Sequence, residues 1–146
     1  MPRVSDQVVI VGAGETKVGK LPGLQSVHIQ AWAVQQALVD CGLRVSDLDG
    51  LINLDPYAVP HSMFSSTLSE YLGLKPKFLS TLDVGGTVTG MTMLQQAVWA
   101  IEAGHCEVVA CVYGENALTA RAPEQRGLAM QNLMGGQEWE EPFGVH

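Results

Sequence analysis

The sequence predicts an α/β fold in which helices cover a mainly parallel sheet, and three observations lead there. Short apolar runs rich in Val, Ile and Leu recur along the chain and end in glycine or polar residues, as buried strands do. Stretches with apolar residues every three or four positions separate them. Strand and helix therefore alternate, the order that builds a parallel sheet with helices on its faces. The chain has 146 residues, 47 % of them hydrophobic and 16 % charged, which supports a buried core and excludes disordered, collagen-like and coiled-coil chains.

The first strand is expected at residues 7–11, Gln-Val-Val-Ile-Val, running into Gly12-Ala-Gly14. A polar stretch with glycine and proline, residues 15–25, reads as a loop. Ser26 is the expected N-cap of a helix with the apolar row Val27, Ala31, Val34, Leu38 and Cys41, and Gly42 falls where a terminating glycine belongs. Residues 50–54 supply the second strand. Pro56 and Pro60 interrupt the chain, and Ser62 is the expected cap of a helix carrying Met63, Phe64, Leu68, Tyr71 and Leu72 up to Gly73. Residues 77–84 read as the third strand, which Gly85-Gly86 turn sharply into a long helix starting near Thr87 and closed by Gly104. Its packed face is expected to carry Met91, Leu94, Ala97, Val98 and Ile101. Residues 107–113 are the fourth strand, and periodicity is lost after Gly114. The tail that follows is too long for an ordinary connection and reads as a functional loop region or the start of something cut short.

Charge and cysteine usage narrow the function. Eight basic against fifteen acidic residues give a net charge of -7, with no basic cluster to neutralise phosphates, so nucleic acid and anionic membranes are poor candidates as partners. No apolar run approaches the ~20 residues of a membrane span, and the N-terminus lacks a signal-peptide core. Three cysteines, Cys41, Cys106 and Cys111, fit a reduced interior better than a disulfide framework, so a soluble, cytoplasmic protein is expected.

Most candidate chemistry reads as structure. Gly12-Ala-Gly14 lacks the third glycine of a dinucleotide fingerprint, since Lys17 occupies that position and the helix opens only at Ser26. His28, His61, His105 and His146 are scattered, and Cys106 and Cys111 have no second pair, so no metal site is expected. Cys106 reads as a loop residue and Cys111 as strand core, while Trp32 and Trp99 are expected to pack within helices. Trp139, in the irregular tail, is less easily assigned. The informative segment is residues 81–115. A strand ends at Val84, two glycines turn the chain, and a helix opens at Thr87, where free N–H groups and the dipole favour negative charge. A cysteine there would be an activated nucleophile. A threonine suits a helix cap or a hydrogen-bond donor to a ligand.

Asp83-Val-Gly-Gly-Thr87-Val-Thr-Gly90, Leu94-Gln-Gln-Ala97, Ile101-Glu-Ala-Gly104 and the strand up to Glu115 resemble the N-terminal half of the thiolase superfamily, in its sterol-carrier or lipid-transfer-protein type. Gly12-Ala-Gly14-Glu-Thr16, Cys41-Gly-Leu43 and Asp47-Leu-Asp-Gly50 fit the same pattern, so the resemblance spans nearly the whole chain. In that family a Cys-x-Ser/Thr-Gly motif opens the buried helix. Aligned without gaps from Gly104 and Glu115, the family's cysteine falls on Thr87, its Ser/Thr on Thr89 and its glycine on Gly90.

The resemblance implies an αβα layered half-fold over residues 1–117 and the truncated start of a loop region over 118–146, incomplete on its own, because family members are more than twice as long and carry further catalytic motifs in a C-terminal half. It implies a branch lacking the nucleophilic cysteine, which processes acyl-CoA and cleaves a carbon–carbon bond by a retro-aldol route in sterol-like side-chain catabolism. Thr87 is then the catalytic candidate, with Gly86, Thr89 and Gly90 as substrate-binding candidates and the base elsewhere. No covalently bound cofactor is implied, and a coenzyme A thioester is the substrate. A homodimer or higher oligomer and a small OB-fold partner that binds acyl-CoA are the implied assembly. The alternatives are a non-catalytic thiolase-like subunit that binds acyl-CoA, and a conventional acyltransferase of the acetyl-CoA acetyltransferase kind.

Overall fold

A computed structural model describes residues 8–120 and contains one three-stranded, wholly parallel sheet in the order β2-β1-β3. The elements are α1 (Ser26–Cys41), a 3₁₀ turn at Val45–Asp47, β1 (Gly50–Asn53), α2 (Phe64–Leu72), β2 (Phe78–Thr81), α3 (Val88–Glu102), β3 (Val109–Val112) and the short α4 (Ala117–Ala120). β1 pairs with both neighbours, Leu51 opposite Leu79 and Ala110, and all four of its residues are buried. Side chains alternate across a strand, so its two central residues serve opposite layers. Leu51 packs with Ala31, Val34 and Leu38 of α1 and Phe64, Leu68 and Leu72 of α2. Ile52 packs with Met93 and Ala97 of α3. The result is the expected αβα layering.

Two of the helix stops fall as expected, since Gly42 and Gly73 take left-handed conformations (φ 71° and 70°) and close α1 and α2. The starts differ by a residue or two. Gln25, not Ser26, caps α1, and its backbone N–H donates to His28 Nδ1 at 3.1 Å. Ser26 is instead buried, its hydroxyl 3.4 Å from Asn116 Oδ1. Met63, in a left-handed conformation (φ 59°), precedes α2 in place of Ser62. β2 and β3 are shorter than expected, at four residues each. α4 spans the boundary drawn at 117/118, and Thr119 Oγ1 accepts the Leu21 N–H at 2.9 Å, tying it back to the loop before α1.

Three expectations are overturned. No strand forms over residues 8–11, and Val9, Ile10 and Val11 are 69 %, 75 % and 56 % exposed. The segment is drawn onto the side of α1, where Ala13 N–H donates to Asp40 Oδ2 at 3.0 Å. A Cβ on Gly12 or Gly14 would stand 2.4 or 2.3 Å from backbone atoms of Ala37, so the glycines permit a contact with the helix rather than a strand-end turn. β-branched residues favour a strand only when a neighbouring strand lies beside them. The second correction concerns α3, which buries Thr89, Met93, Ala97 and Ala100, while Met91 is 70 % exposed and Leu94 37 %. The row that faces the sheet is turned from the expected one and shares only Ala97 with it. Trp99 is the third, lying on the outer side of α3 and 54 % exposed, whereas Trp32 is half-buried. Trp139 and residues 121–146 of the expected loop region lie outside the described residues.

The entrance edge of the sheet is tied by one carboxylate. Asp49 Oδ1 accepts the N–H groups of Glu107 and Val108, each at 2.8 Å, and Oδ2 meets Lys77 Nζ at 3.1 Å. One side chain thus joins the starts of all three strands. Partial burial acts to raise its pKa, but the two N–H donors and Lys77 outweigh it and hold the carboxyl below its usual value. A depressed carboxyl stabilises the fold above its unfolded value of about 3.9, and that stabilisation is lost as pH falls through the lower folded value. Asp49→Ala is therefore expected to cost about 2–3 kcal/mol in urea unfolding at pH 7. The gap from wild type should narrow below about pH 4, and a variant as stable as wild type at neutral pH would contradict the assignment.

Candidate functional site

Ligands of open α/β sheets bind outside the carboxyl ends of the strands, and here those ends hold most of the polar contacts between distant elements. Beyond β1 runs the loop 54–63, beyond β2 the turn 82–87, and beyond β3 Gly114, Glu115 and Asn116. Together the first two enclose an open groove of about 270 Å³, lined by Leu54, Pro56, Tyr57, Pro60, His61 and Asp83 among others. The walls are mostly apolar, and among the described residues no Lys or Arg lines them.

Buried amides hold the rim in place. Gln30 is fully buried on α1, and its side-chain amide donates to Leu54 O at 3.0 Å and Gly114 O at 3.2 Å, joining the exits of β1 and β3. Asn116 donates to Leu24 O at 2.9 Å, anchoring the loop ahead of α1. Glu115 accepts two consecutive N–H groups, that of Tyr57 and that of Ala58 (2.9 Å), through one carboxylate oxygen. The Tyr57 hydroxyl donates to Asp83 Oδ2, while Asp83 Oδ1 accepts the Gly85 N–H at 2.9 Å.

The turn itself uses two successive glycines with positive φ, Gly85 (83°) and Gly86 (54°). Side chains rarely adopt such angles, so the Gly-Gly pair is what lets the chain reverse from β2 into α3. Thr87 follows at the helix start with helical angles, exposed, and its hydroxyl makes no capping bond. The expectation of Thr87 as a side-chain cap is thereby corrected, because helical angles turn its hydroxyl away from the N–H groups a cap would accept. Gly86 and Gly90 are likewise exposed beside it. Thr89 is buried, and its hydroxyl accepts the Val84 N–H at 3.3 Å, bracing the turn from inside. The four candidates therefore fall together at one helix opening, three on the surface and Thr89 beneath them.

Sequence reasoning did not single out Gln30, Tyr57 or Asn116. Gln30 carries a usable signal, a polar side chain on the apolar face of α1 between Ile29 and Ala31. Tyr57 and Asn116 carry none, since they lie in loops without periodicity.

The site's ionisable groups favour neutral hydroxyls. Burial, then the Asp83 hydrogen bond and charge, push the Tyr57 phenol well above its ordinary range. Burial, with Glu115 and Asp83 adding to it, pushes Tyr113 up to about 12. No cysteine stands at the rim. Cys111 lies within β3, its thiol pushed up to about 11 by burial, and Cys106 lies at the entrance of β3, also raised chiefly by burial. Cys41 ends α1. Among the described residues no group of three or more His, Cys, Asp and Glu side chains is arranged to hold a metal ion, and no helix is long and apolar enough to cross a membrane.

This geometry, an αβα layering with a glycine turn from an edge strand into a helix that is apolar on both faces, is a thiolase-superfamily fold of the sterol-carrier thiolase-like type. The chain is 30 % identical to a steroid side-chain-cleaving aldolase of Thermomonospora curvata, over 94 % of this chain and 35 % of that protein. It is 32 % identical to a 17-hydroxy-3-oxo-4-pregnene-20-carboxyl-CoA lyase of Mycobacterium tuberculosis, over 73 % of this chain and 26 % of that one. Among solved structures, the Ltp2-ChsH2 aldolase matches 94 % of this chain and 33 % of its own at a TM-score of 0.69 and 28 % identity. A likeness of fold alone, at 24 % identity and a TM-score of 0.55, extends to a monomeric SCP2-thiolase-like protein of Mycobacterium smegmatis, covering 70 % of this chain and 22 % of that one. The chain thus spans about a third or less of the length of the relatives it matches. No family model matches it.

The thiol assignments are open to direct measurement. With Ellman's reagent at pH 8, Cys41 is expected to react first, and at least about tenfold more slowly both Cys106, which is buried, and Cys111, which is partly exposed but whose thiol is pushed up to about 11. Equal rates for all three would contradict the burial described here.

Proposed function

We propose that the protein acts in the retro-aldol cleavage of a β-hydroxyacyl-CoA of sterol side-chain type, with the helix opening at Thr87 as part of the site that stabilises the thioester enolate. The observation that carries this reading is a threonine, not a cysteine, at the α3 opening of a chain whose relatives are named as an aldolase and a CoA lyase. In such a reaction a base removes the proton of the β-hydroxyl and the oxygen forms a carbonyl. The bond between the α- and β-carbons breaks, and its electron pair moves into the thioester as an enolate, which is then protonated at the α-carbon. No covalent acyl-enzyme forms, so no thiol is required. What the protein must supply is a set of dipoles where negative charge develops on the thioester oxygen, and a helix N-terminus provides them. Gly86 and Gly90 leave the approach to it uncovered by side chains. The base belongs to residues beyond those described, and no covalently bound cofactor enters the scheme.

Assembly supports the same reading. β2 lies at one edge of the described sheet, and α3 turns Val88, Met91 and Trp99 outward at 60 %, 70 % and 54 % exposure. A helix apolar all round is normally covered on both sides. We take β2 and this outer face of α3 as the surface for a homodimer, and a small acyl-CoA-binding OB-fold protein as the further partner. Free Cys41, Cys106 and Cys111 suit a cytoplasmic location.

The full-length protein, with its partner, incubated with a β-hydroxyacyl-CoA of sterol type is expected to release a free ketone and the shortened acyl-CoA. Retained dimerisation without any carbon–carbon cleavage would replace this reading with the non-catalytic acyl-CoA-binding subunit, and thiolysis with free coenzyme A would replace it with the acyltransferase. Thr87→Ala should lower kcat by roughly 10²-fold, the cost of removing one oxyanion-type donor. Turnover at the wild-type rate would remove the Thr87 hydroxyl from the mechanism.

A further inference from the structure

We infer that Tyr57 is a positioning residue of the α3 opening, acting through Asp83, which holds the loop after β1 and the turn before α3 with one carboxylate. The inference rests on the retro-aldol reading for its consequence in turnover, and on geometry alone for its structural content. Asp83 reaches in two directions. One oxygen takes the Gly85 N–H at 2.9 Å, fixing the first of the two left-handed glycines, and the other takes the Tyr57 hydroxyl from the opposite wall of the groove. Tyr57 is in turn held by its own backbone, whose N–H, with that of Ala58, donates to Glu115 beyond β3. A chain of hydrogen bonds therefore runs from the exit of β3 through the loop after β1 to the turn after β2. It ends two residues before Thr87.

Such a chain matters because the Gly85-Gly86 turn is intrinsically loose. Glycine pays more conformational entropy for order than any other residue, so two in succession hold one geometry only if something outside them fixes it. Thr89 braces the turn from the buried side and Asp83 from the groove side. Loss of the Tyr57 hydroxyl leaves Asp83 able to rotate toward solvent. The loop itself stays attached through Glu115, so the effect is local rather than global. The phenol, raised above its ordinary range, remains a neutral donor throughout the physiological range and serves as a fixed strut rather than an acid or base.

Tyr57→Phe removes only the hydroxyl and is the decisive variant in the full-length protein. Hydrogen–deuterium exchange over residues 84–90 should quicken by about tenfold, while peptides over β1 and α1 exchange as in wild type. kcat for carbon–carbon cleavage should fall by roughly tenfold, with KM within about twofold and the pH limbs of kcat unmoved. Asp83→Asn should reproduce both effects, and the double variant should be no worse than either single one, the sign of one shared contact. Unchanged exchange at 84–90 in Tyr57→Phe overturns the inference, and so does additivity in that exchange. Because exchange is read without turnover, a wild-type protein that fails to cleave substrate defeats the proposed function while leaving this inference decided on its own terms.

Discussion

The constraint on which the rest of the structure depends is the burial of β1 on both faces and along both edges. A strand paired in parallel on each side cannot be entered or left by a hairpin, so every connection must cross a face of the sheet as a helix. α1 and α2 pack with Leu51 on one side and α3 with Ile52 on the other. All strand entrances therefore gather at one end of the sheet and all exits at the other. Polar groups stranded at those ends need partners, since a buried unpaired group costs about as much as a lost hydrogen bond or more. Asp49 supplies them at the entrances, and Gln30, Glu115 and Asp83 at the exits.

The two ends differ in what they leave exposed. At the entrances Asp49 is fully engaged by two N–H groups and Lys77, and nothing is presented to a ligand. At the exits the same kind of anchoring frames a groove and the opening of α3. One of the anchors, Asp83, also lines the groove, together with Asp55, His61 and a mostly apolar wall. The proposed reaction, in which charge develops on one thioester oxygen, calls for dipoles held still. The thiols of Cys106 and Cys111 are raised by burial, and Cys41 stands at the end of α1.

Much of this arrangement was legible in the sequence, and the exceptions share a physical cause. Leu51 and Ile52, the C-terminal glycines Gly42 and Gly73, and the Gly85-Gly86 turn are local signals, and each falls where it was expected. The face of α3 is not legible because Met91 and Leu94 are as hydrophobic as Met93 and Ala97, so periodicity alone does not choose between the two rows. Residues 8–11 carry the composition of a strand yet lie against α1, since a strand is a relation to a neighbour and not a property of five residues. The site divides in the same way. The Gly85-Gly86 turn and Thr87 stand out in the strand–glycine–helix pattern and Thr89 and Gly90 through the family resemblance, while Tyr57 meets Asp83, 26 positions away, and Gln30 meets carbonyls just beyond two separate strands. Pairings over such distances leave no trace in local periodicity.

The most direct test of the account is a crystal structure of the full-length protein with a non-cleavable acyl-CoA thioester bound. The account predicts the thioester oxygen within hydrogen-bonding distance of the backbone N–H groups at the opening of α3, beside Thr87, with no covalent bond from protein to acyl group. A thioester lodged away from that opening, or an acyl group bonded to Thr87, would contradict it.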